Sequence, residues 1–202
     1  MNPYQVVRDF ESAVAAYTGA PYAVAVNSCT NALFLCLMWH KASGRLPAAI
    51  EIPKRTYVSV PMQILHAGTK VKFRDEAWSG VYQLAPLPVW DAARRFTATM
   101  YDSGTFMCTS HHWSKVLGIQ QGGCILHDNA KADKWFRRAR FDGRTEGVHP
   151  KDDTFDMAGW HAYMSPEIAA QGLVRLSLLP RTNLDLPNDD YPDLSKIPLF
   201  AC

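Results

Sequence analysis

The sequence predicts an α/β protein built on a mostly parallel, mixed sheet of about six strands flanked by helices. Three observations predict it. Short runs rich in Val, Ile and Ala alternate with longer segments of helical spacing as far as Asp75. The breaks between them carry Gly, Pro or small polar residues. The strand-like runs are apolar on both sides, as in a sheet covered on both faces.

Val6, Val7, Phe10, Val14 and Tyr17 fall at helical spacing, and Gly19 stops that helix. Residues 22–27, YAVAVN, read as a buried strand. Ser28, Cys29 and Thr30 open an apolar helix that runs to about His40. A second strand, AAIEIP, closes at Pro53. A helix is expected from near Thr56, with Pro61 in its first turn and Gly68 at its end. KVKFRD is the third strand. The stretch 76–87 is too short for a further helix and strand. LPVWDAA reads as a strand ending at Asp91, and 105–111 and 122–128 as two more. NAKADKWFRRARFDGR is amphipathic and basic. Ser165 caps a helix over 165–179, with Pro166 and Glu167 in its first turn. The tail 180–202 is rich in Pro, Asp and Asn and is expected to be irregular.

Composition narrows the function classes. At 202 residues the chain can build one good-sized core but is short for two domains. A net charge of +2, with dispersed Lys and Arg, gives no nucleic-acid surface. No apolar stretch is long enough to span a bilayer, and the amphipathic N-terminus is unlike a signal peptide. The five cysteines, Cys29, Cys36, Cys108, Cys124 and Cys202, form no CxxC pair and no disulfide framework. A cytoplasmic protein without nucleic-acid or membrane partners is expected. The histidines lack the spacing of HExxH or Cys/His zinc sites, so no metal is expected.

Three places can carry chemistry. The turn SCTNAL feeds a helix N-terminus, where unpaired N–H groups and the helix dipole favour an anion; Ser28 and Thr30 add hydroxyls. The same pattern is also an ordinary helix cap. Asp91 ends an apolar run, where strand ends of open α/β sheets meet ligands. Lys115 lies between two strands in a loop of His, Trp and Gly, with Gly118, Gly122 and Gly123 allowing close backbone approach. An anion cradle, a buried carboxylate and a loop lysine are the set that pyridoxal 5'-phosphate (PLP) requires: a phosphate anchor, a pyridinium partner and an imine-forming amine.

Taken together, five collinear motifs over residues 4–179 resemble the DegT/DnrJ/EryC1/StrS sugar aminotransferases, a family of fold type I PLP enzymes. The motifs are FESAVAAYTGAPYAVAVNSCTNALFLCL, IPKRTYVSVPMQILHAGTKVKF, VWDAARR, CTSHHWSKVLGIQQGGCIL and AGWHAYMSPEIAAQGLVRL. The resemblance implies that Asp91 pairs with the pyridine nitrogen and Tyr57 stacks on the ring. Ser110 joins Ser28, Cys29 and Thr30 at the phosphate, and Lys115 forms the aldimine. Arg94 stands where the family usually has Gln or His, near the phenolic oxygen. Cys29 replaces a turn glycine. His161 replaces an Asn that approaches the cofactor of the neighbouring subunit, and Tyr163 replaces an Arg. The family's small domain has no counterpart after about Leu179, so residues 1–179 resemble a minimised PLP-binding large domain.

The resemblance implies an aminotransferase moving an amino group from an amino acid to a keto-sugar-type acceptor, as in sugar nucleotide biosynthesis. It also implies a homodimer with shared active sites. The alternative is a non-catalytic or regulatory PLP-binding homologue that acts as a partner protein. A sugar dehydratase is a third reading, and retention of Lys115 speaks against it.

Overall fold

A computed structural model describes residues 2–188 and 191–200 of the chain. The elements in order are α1 (Gln5–Thr18), β1 (Tyr22–Val26), α2 (Cys29–Ala42), β2 (Ala49–Pro53), α3 (Ser59–His66) and β3 (Lys70–Arg74). There follow β4 (Tyr82–Gln83), β5 (Val89–Ala92), β6 (Phe106–Ser110), β7 (Gly123–His127), α4 (Ala130–Ala139) and α5 (Pro166–Ser177). Gly19 closes α1 in the left-handed conformation at φ 78, where a side chain would be strained. Ser28, Asn129 and Ser165 cap α2, α4 and α5 by accepting backbone N–H groups.

Strands and helices alternate as the sequence predicts, but the sheet is mixed rather than mostly parallel. Five strands run in the order β1-β7-β6-β5-β4. Only β5 and β6 pair in parallel; β1–β7, β6–β7 and β4–β5 are antiparallel. The expected parallel crossover does exist between β2 and β3, but those strands form a separate two-stranded sheet. The cause is local. β6 turns back directly into β7 through the 111–122 loop, with no helix to carry the chain across and restore its direction. The two-residue β4, which sequence reading passes over, adds an antiparallel edge.

Even so, β1, β5 and β6 share one direction, so their carboxyl ends lie at one edge of the sheet. The loops that carry Ser28 and Lys115 leave from that edge, and Asp91 stands there within β5, next to its last residue. The mixed pairing therefore preserves the crevice that a parallel sheet would give.

The period-two alternation of the strands splits the core into two layers. Val24 and Val26 of β1, Val89 of β5, Cys108 of β6 and Ile125 of β7 pack against α2 and α4 residues such as Leu33, Leu37 and Phe136. Ala23 and Ala25, Met107, Cys124 and Leu126 face α1 and α5, where Phe10, Val14 and Ala169 meet them. Gly172 of α5 is a contact point, since a Cβ there would stand 2.5 Å from the Phe10 ring. The helix expected near Thr56 starts at Ser59, because Thr56 turns inward and its hydroxyl meets the Tyr82 hydroxyl. Cys29, Cys36, Cys108 and Cys124 are buried free thiols, and Cys202 lies outside the described residues.

The segment after α5 is irregular and returns over the body of the domain. It ends in two 3₁₀ turns, Leu194–Lys196 and Pro198–Phe200, which bury Leu194 and Phe200.

Candidate active site

The carboxyl ends of β1, β5 and β6 enclose a cavity of 430 Å³. Ser28, Cys29, Thr30, Tyr57, Asp91, Arg94, Ser110 and Lys115 all line it. Each arrives by a different route. Ser28, Cys29 and Thr30 open α2, so the positive end of that helix faces the cavity. The Ser28 hydroxyl oxygen accepts the Asn31 N–H at 3.1 Å, which fixes the first turn. Thr30 and Ser59 place their hydroxyl oxygens 2.9 Å apart and tie α2 to α3. Ser28 also forms a bridge to Gly122, and a Cβ on Gly123 would stand 2.7 Å from the Cys29 nitrogen. The α2 turn is seated directly on glycine backbone, an approach that a side chain would block.

Asp91 is buried at the cavity floor, with 5% of its surface exposed. Oδ1 accepts the Ala93 N–H at 2.8 Å and Oδ2 accepts the Tyr82 hydroxyl at 2.8 Å. Burial pushes its pKa up; the Ala93 N–H, the Tyr82 hydroxyl and the charges of Lys115 and Arg94 pull the other way without cancelling it. Burial thus outweighs the cations facing the carboxylate, and a protonated nitrogen placed against it would favour the ionised form further.

Lys115 sits in the 111–122 loop, which is anchored below it. Leu117 and Ile119 are buried in the core facing α1 and α5. His111 is fully buried, its ring edge-on to Phe10 and Phe96, and its N–H donates to the Gly122 carbonyl at 2.9 Å. The Lys115 N–H closes a turn onto the His112 carbonyl at 2.8 Å. A flexible loop with two buried hydrophobic anchors holds its lysine at one place. Lys115 itself is half-buried.

His161 lies elsewhere. It is exposed, with Nδ1 2.9 Å from Asp142 Oδ2 and its ring against Tyr163, and it does not line the cavity. Residues that the sequence did not flag also belong to the cavity or its support. Thr56 and Trp78 line it, Tyr82 holds Asp91, and Tyr191 reaches it from the C-terminal segment. Trp78 and Tyr82 lie in the 76–87 stretch, to which the sequence assigns no element, and Tyr191 in the segment expected to be irregular, so none carried a signal beyond being aromatic.

A helix N-terminus, a buried Asp and a loop Lys meet at one strand-end cavity, and the α/β fold around it is that of solved sugar aminotransferases. CalS13 of Micromonospora echinospora, a sugar aminotransferase, superposes with a TM-score of 0.70 at 17% identity over 87% of this chain and 62% of that one. AtS13 of Actinomadura melliaura gives a TM-score of 0.74 at 19% identity, covering 85% and 59%. Residues 1–80, which hold the first two of the five motifs, match the DegT/DnrJ/EryC1/StrS aminotransferase family. The spore coat polysaccharide biosynthesis protein SpsC of Bacillus subtilis (strain 168) is 46% identical over 70 residues, 34% of this chain and 17% of SpsC. The chain thus spans less than two thirds of the length of these relatives.

Proposed function

We propose that the chain forms the cofactor-binding part of a PLP-dependent aminotransferase that passes an amino group from an amino acid to a keto-sugar-type acceptor. One observation carries the proposal: Lys115, Asp91 and the N-terminus of α2 converge on a single cavity. The residues fit the cofactor. The α2 turn and Ser110 offer N–H and hydroxyl donors for a phosphate. Buried Asp91 suits a protonated ring nitrogen. Residues 1–179 would be the PLP-binding domain and 180–202 a tail attached to it.

When bound, PLP supplies an electron-withdrawing ring that takes up the charge left when a proton leaves the donor carbon. The chain's residues do the rest. Lys115 Nζ would hold the cofactor covalently and, once displaced by the donor amine, carry the proton away from carbon and return it. Asp91 would keep the ring nitrogen protonated, and Tyr82 would keep Asp91 oriented. Arg94 would lie by the phenolic oxygen and Tyr57 against the ring. His161, outside the cavity of its own chain, would serve the neighbouring subunit of a cytoplasmic homodimer.

Several neighbours support the reading. DesV of S. venezuelae was solved with a ketimine intermediate, and the putative sugar aminotransferase Spr1654 of Streptococcus pneumoniae in its PMP form.

The test is spectroscopic. Purified protein titrated with PLP should develop a visible band, and borohydride should fix the label on the Lys115 peptide. Lys115→Ala should lose both, and glutamate should bleach the band of the wild type. No band at saturating PLP, or a label on another lysine, would overturn the assignment.

A further inference from the structure

The C-terminal segment is fastened along the loop that follows Asp91. The Leu186 N–H donates to the Arg94 carbonyl at 2.9 Å. Arg95 grips Asp185 with two bonds, Nε to Oδ1 at 2.8 Å and a terminal nitrogen to Oδ2 at 2.6 Å. The Asn183 amide donates to the Phe96 carbonyl at 3.1 Å, and the Ala98 N–H to the Arg181 carbonyl at 2.8 Å. Past this clamp the segment delivers Tyr191 into the cavity wall. The Arg94 Nε donates to the Tyr191 hydroxyl at 3.0 Å, and its guanidinium carbon stands 4.7 Å from the Tyr191 ring centre. Tyr191 is itself stacked on Trp78, with ring centres 6.3 Å apart and planes 16° from parallel.

We propose that the C-terminal segment is part of the binding site and that Tyr191 is a positioning residue, holding the Arg94 guanidinium at the cavity that the α2 turn also lines. Arg94 has a long side chain with many rotamers and its backbone is a turn, so contacts to its head and main chain decide where the guanidinium stands. The clamp fixes its main chain, and Tyr191, braced by Trp78, fixes its head. This rests on the PLP reading for the ligand, but the coupling of Arg94 to Tyr191 is a property of the chain itself.

The test uses the full-length chain and two readouts. The first is PLP affinity and the pH midpoint of the visible band, which reports a cation near the phenolic oxygen. Tyr191→Ala should weaken PLP binding about tenfold, through loss of a charge-assisted hydrogen bond and a cation–π contact, and should move the midpoint. Tyr191→Phe keeps the ring face but not the hydroxyl and should fall between wild type and Tyr191→Ala. In an Arg94→Gln background Tyr191→Ala should cost nothing further. Unchanged affinity and midpoint, or losses that simply add, would overturn the proposal while leaving the PLP assignment intact. The second readout is hydrogen exchange of the ligand-free protein. Tyr191→Ala should speed exchange of the 92–98 amides about tenfold as the clamp loosens. If the wild type binds no PLP, faster exchange still supports the coupling and unchanged exchange overturns it.

Discussion

Tyr82 and Asp91 are register partners across the antiparallel pair β4–β5, and the Tyr82 hydroxyl donates to Asp91 Oδ2 at 2.8 Å. Behind it the Thr56 hydroxyl lies 2.6 Å from the same phenol. A two-residue edge strand thus has a purpose beyond sheet extension: it places a donor beneath a buried carboxylate. Burial raises the Tyr82 pKa well above its ordinary value, and the neighbouring Asp91 charge raises it further. The phenol stays protonated and can only donate to the carboxylate.

Asp91→Asn separates stability from function. The folded-state pKa of Asp91 is raised, chiefly by burial, so ionising it costs stability. Its contribution is fully present below the unfolded value near 3.8 and is lost as pH rises through the folded pKa. Asn never ionises. The variant should therefore melt about 2–4 °C higher than wild type at pH 7, a gain of order 1 kcal/mol. The gain should vanish near pH 3, and PLP affinity should fall. A variant less stable than wild type at pH 7 would show that the carboxylate is better compensated than its surroundings indicate.

The residues that meet at the cavity were legible in part from breaks in hydrophobic pattern: Ser28 and Asp91 come at the ends of apolar runs, which mark strand ends, whereas Lys115 stood out only through its loop of His, Trp and Gly between two strands. Tyr82 and Tyr191 were not legible. Tyr82 matters through its register against Asp91, and a two-residue strand leaves no periodic trace. Tyr191 matters through the fold-back of a segment whose composition resembles an open tail. Its fastening rests on hydrogen bonds such as Leu186 to Arg94, which no pattern of apolar residues announces. Strand direction failed for a related reason. Alternating strands and helices predict parallel pairing, but β6 and β7 are joined by the 111–122 loop, which brings Lys115 to the cavity and has no helix to restore strand direction.

Gly123→Ala tests how tightly the α2 turn is seated. An added Cβ would lie 2.6 Å from the Thr109 carbonyl oxygen and 2.7 Å from the Cys29 nitrogen, both backbone atoms that cannot swing away. Overpacking of this kind costs about 1–3 kcal/mol. It would also push the turn off the cavity, so phosphate and PLP affinity should drop with stability. Gly44→Ala is the comparison, with φ +67 and nothing within 4 Å of the added atom. It should cost about 1 kcal/mol from backbone strain and leave ligand affinity alone. Equal PLP affinity in the two variants would remove the seat from the binding site.

Glu11 of α1 ties the helical layers together from the far side of the sheet. It is 3% exposed, accepts the Ala25 N–H at 2.9 Å and an Arg137 nitrogen at 2.6 Å, and pairs with buried Arg140. Burial alone would raise its pKa, but Arg140 and Arg137 pull it below the ordinary 4.5. Its stabilisation is present above the unfolded value and lost as pH falls through the lower folded one. Glu11→Gln removes the nearer of the two carboxylates paired with Arg140, leaving Glu146 at 3.4 Å, and should cost about 1–3 kcal/mol at pH 7. Urea unfolding should show the gap narrowing below pH 4. A gap that stays constant with pH would mean the loss is steric.

Three buried histidines set the acid limit of the fold. His111, His40 and His127 are held neutral by burial, with pKa values lowered to about 3, about 4 and about 4. For His127, Asp133 at 3.7 Å pulls the other way without overcoming burial. In the unfolded chain each titrates near 6.5. Between those values the unfolded state binds more protons, so stability falls as pH drops below 6.5. Each histidine contributes a slope of at most ~1.4 kcal/mol per pH unit, and the three together about 4. Urea midpoints should therefore decline steeply from pH 6.5 to pH 4.5. His111 sits edge-on to Phe10 and Phe96, and Nδ1 has no hydrogen-bond partner among the described residues. A leucine there keeps the apolar contacts and cannot charge. His111→Leu should lose about a third of the slope and be more stable than wild type at pH 5. If its pH profile runs parallel to that of wild type, His111 is not among the groups that set the limit.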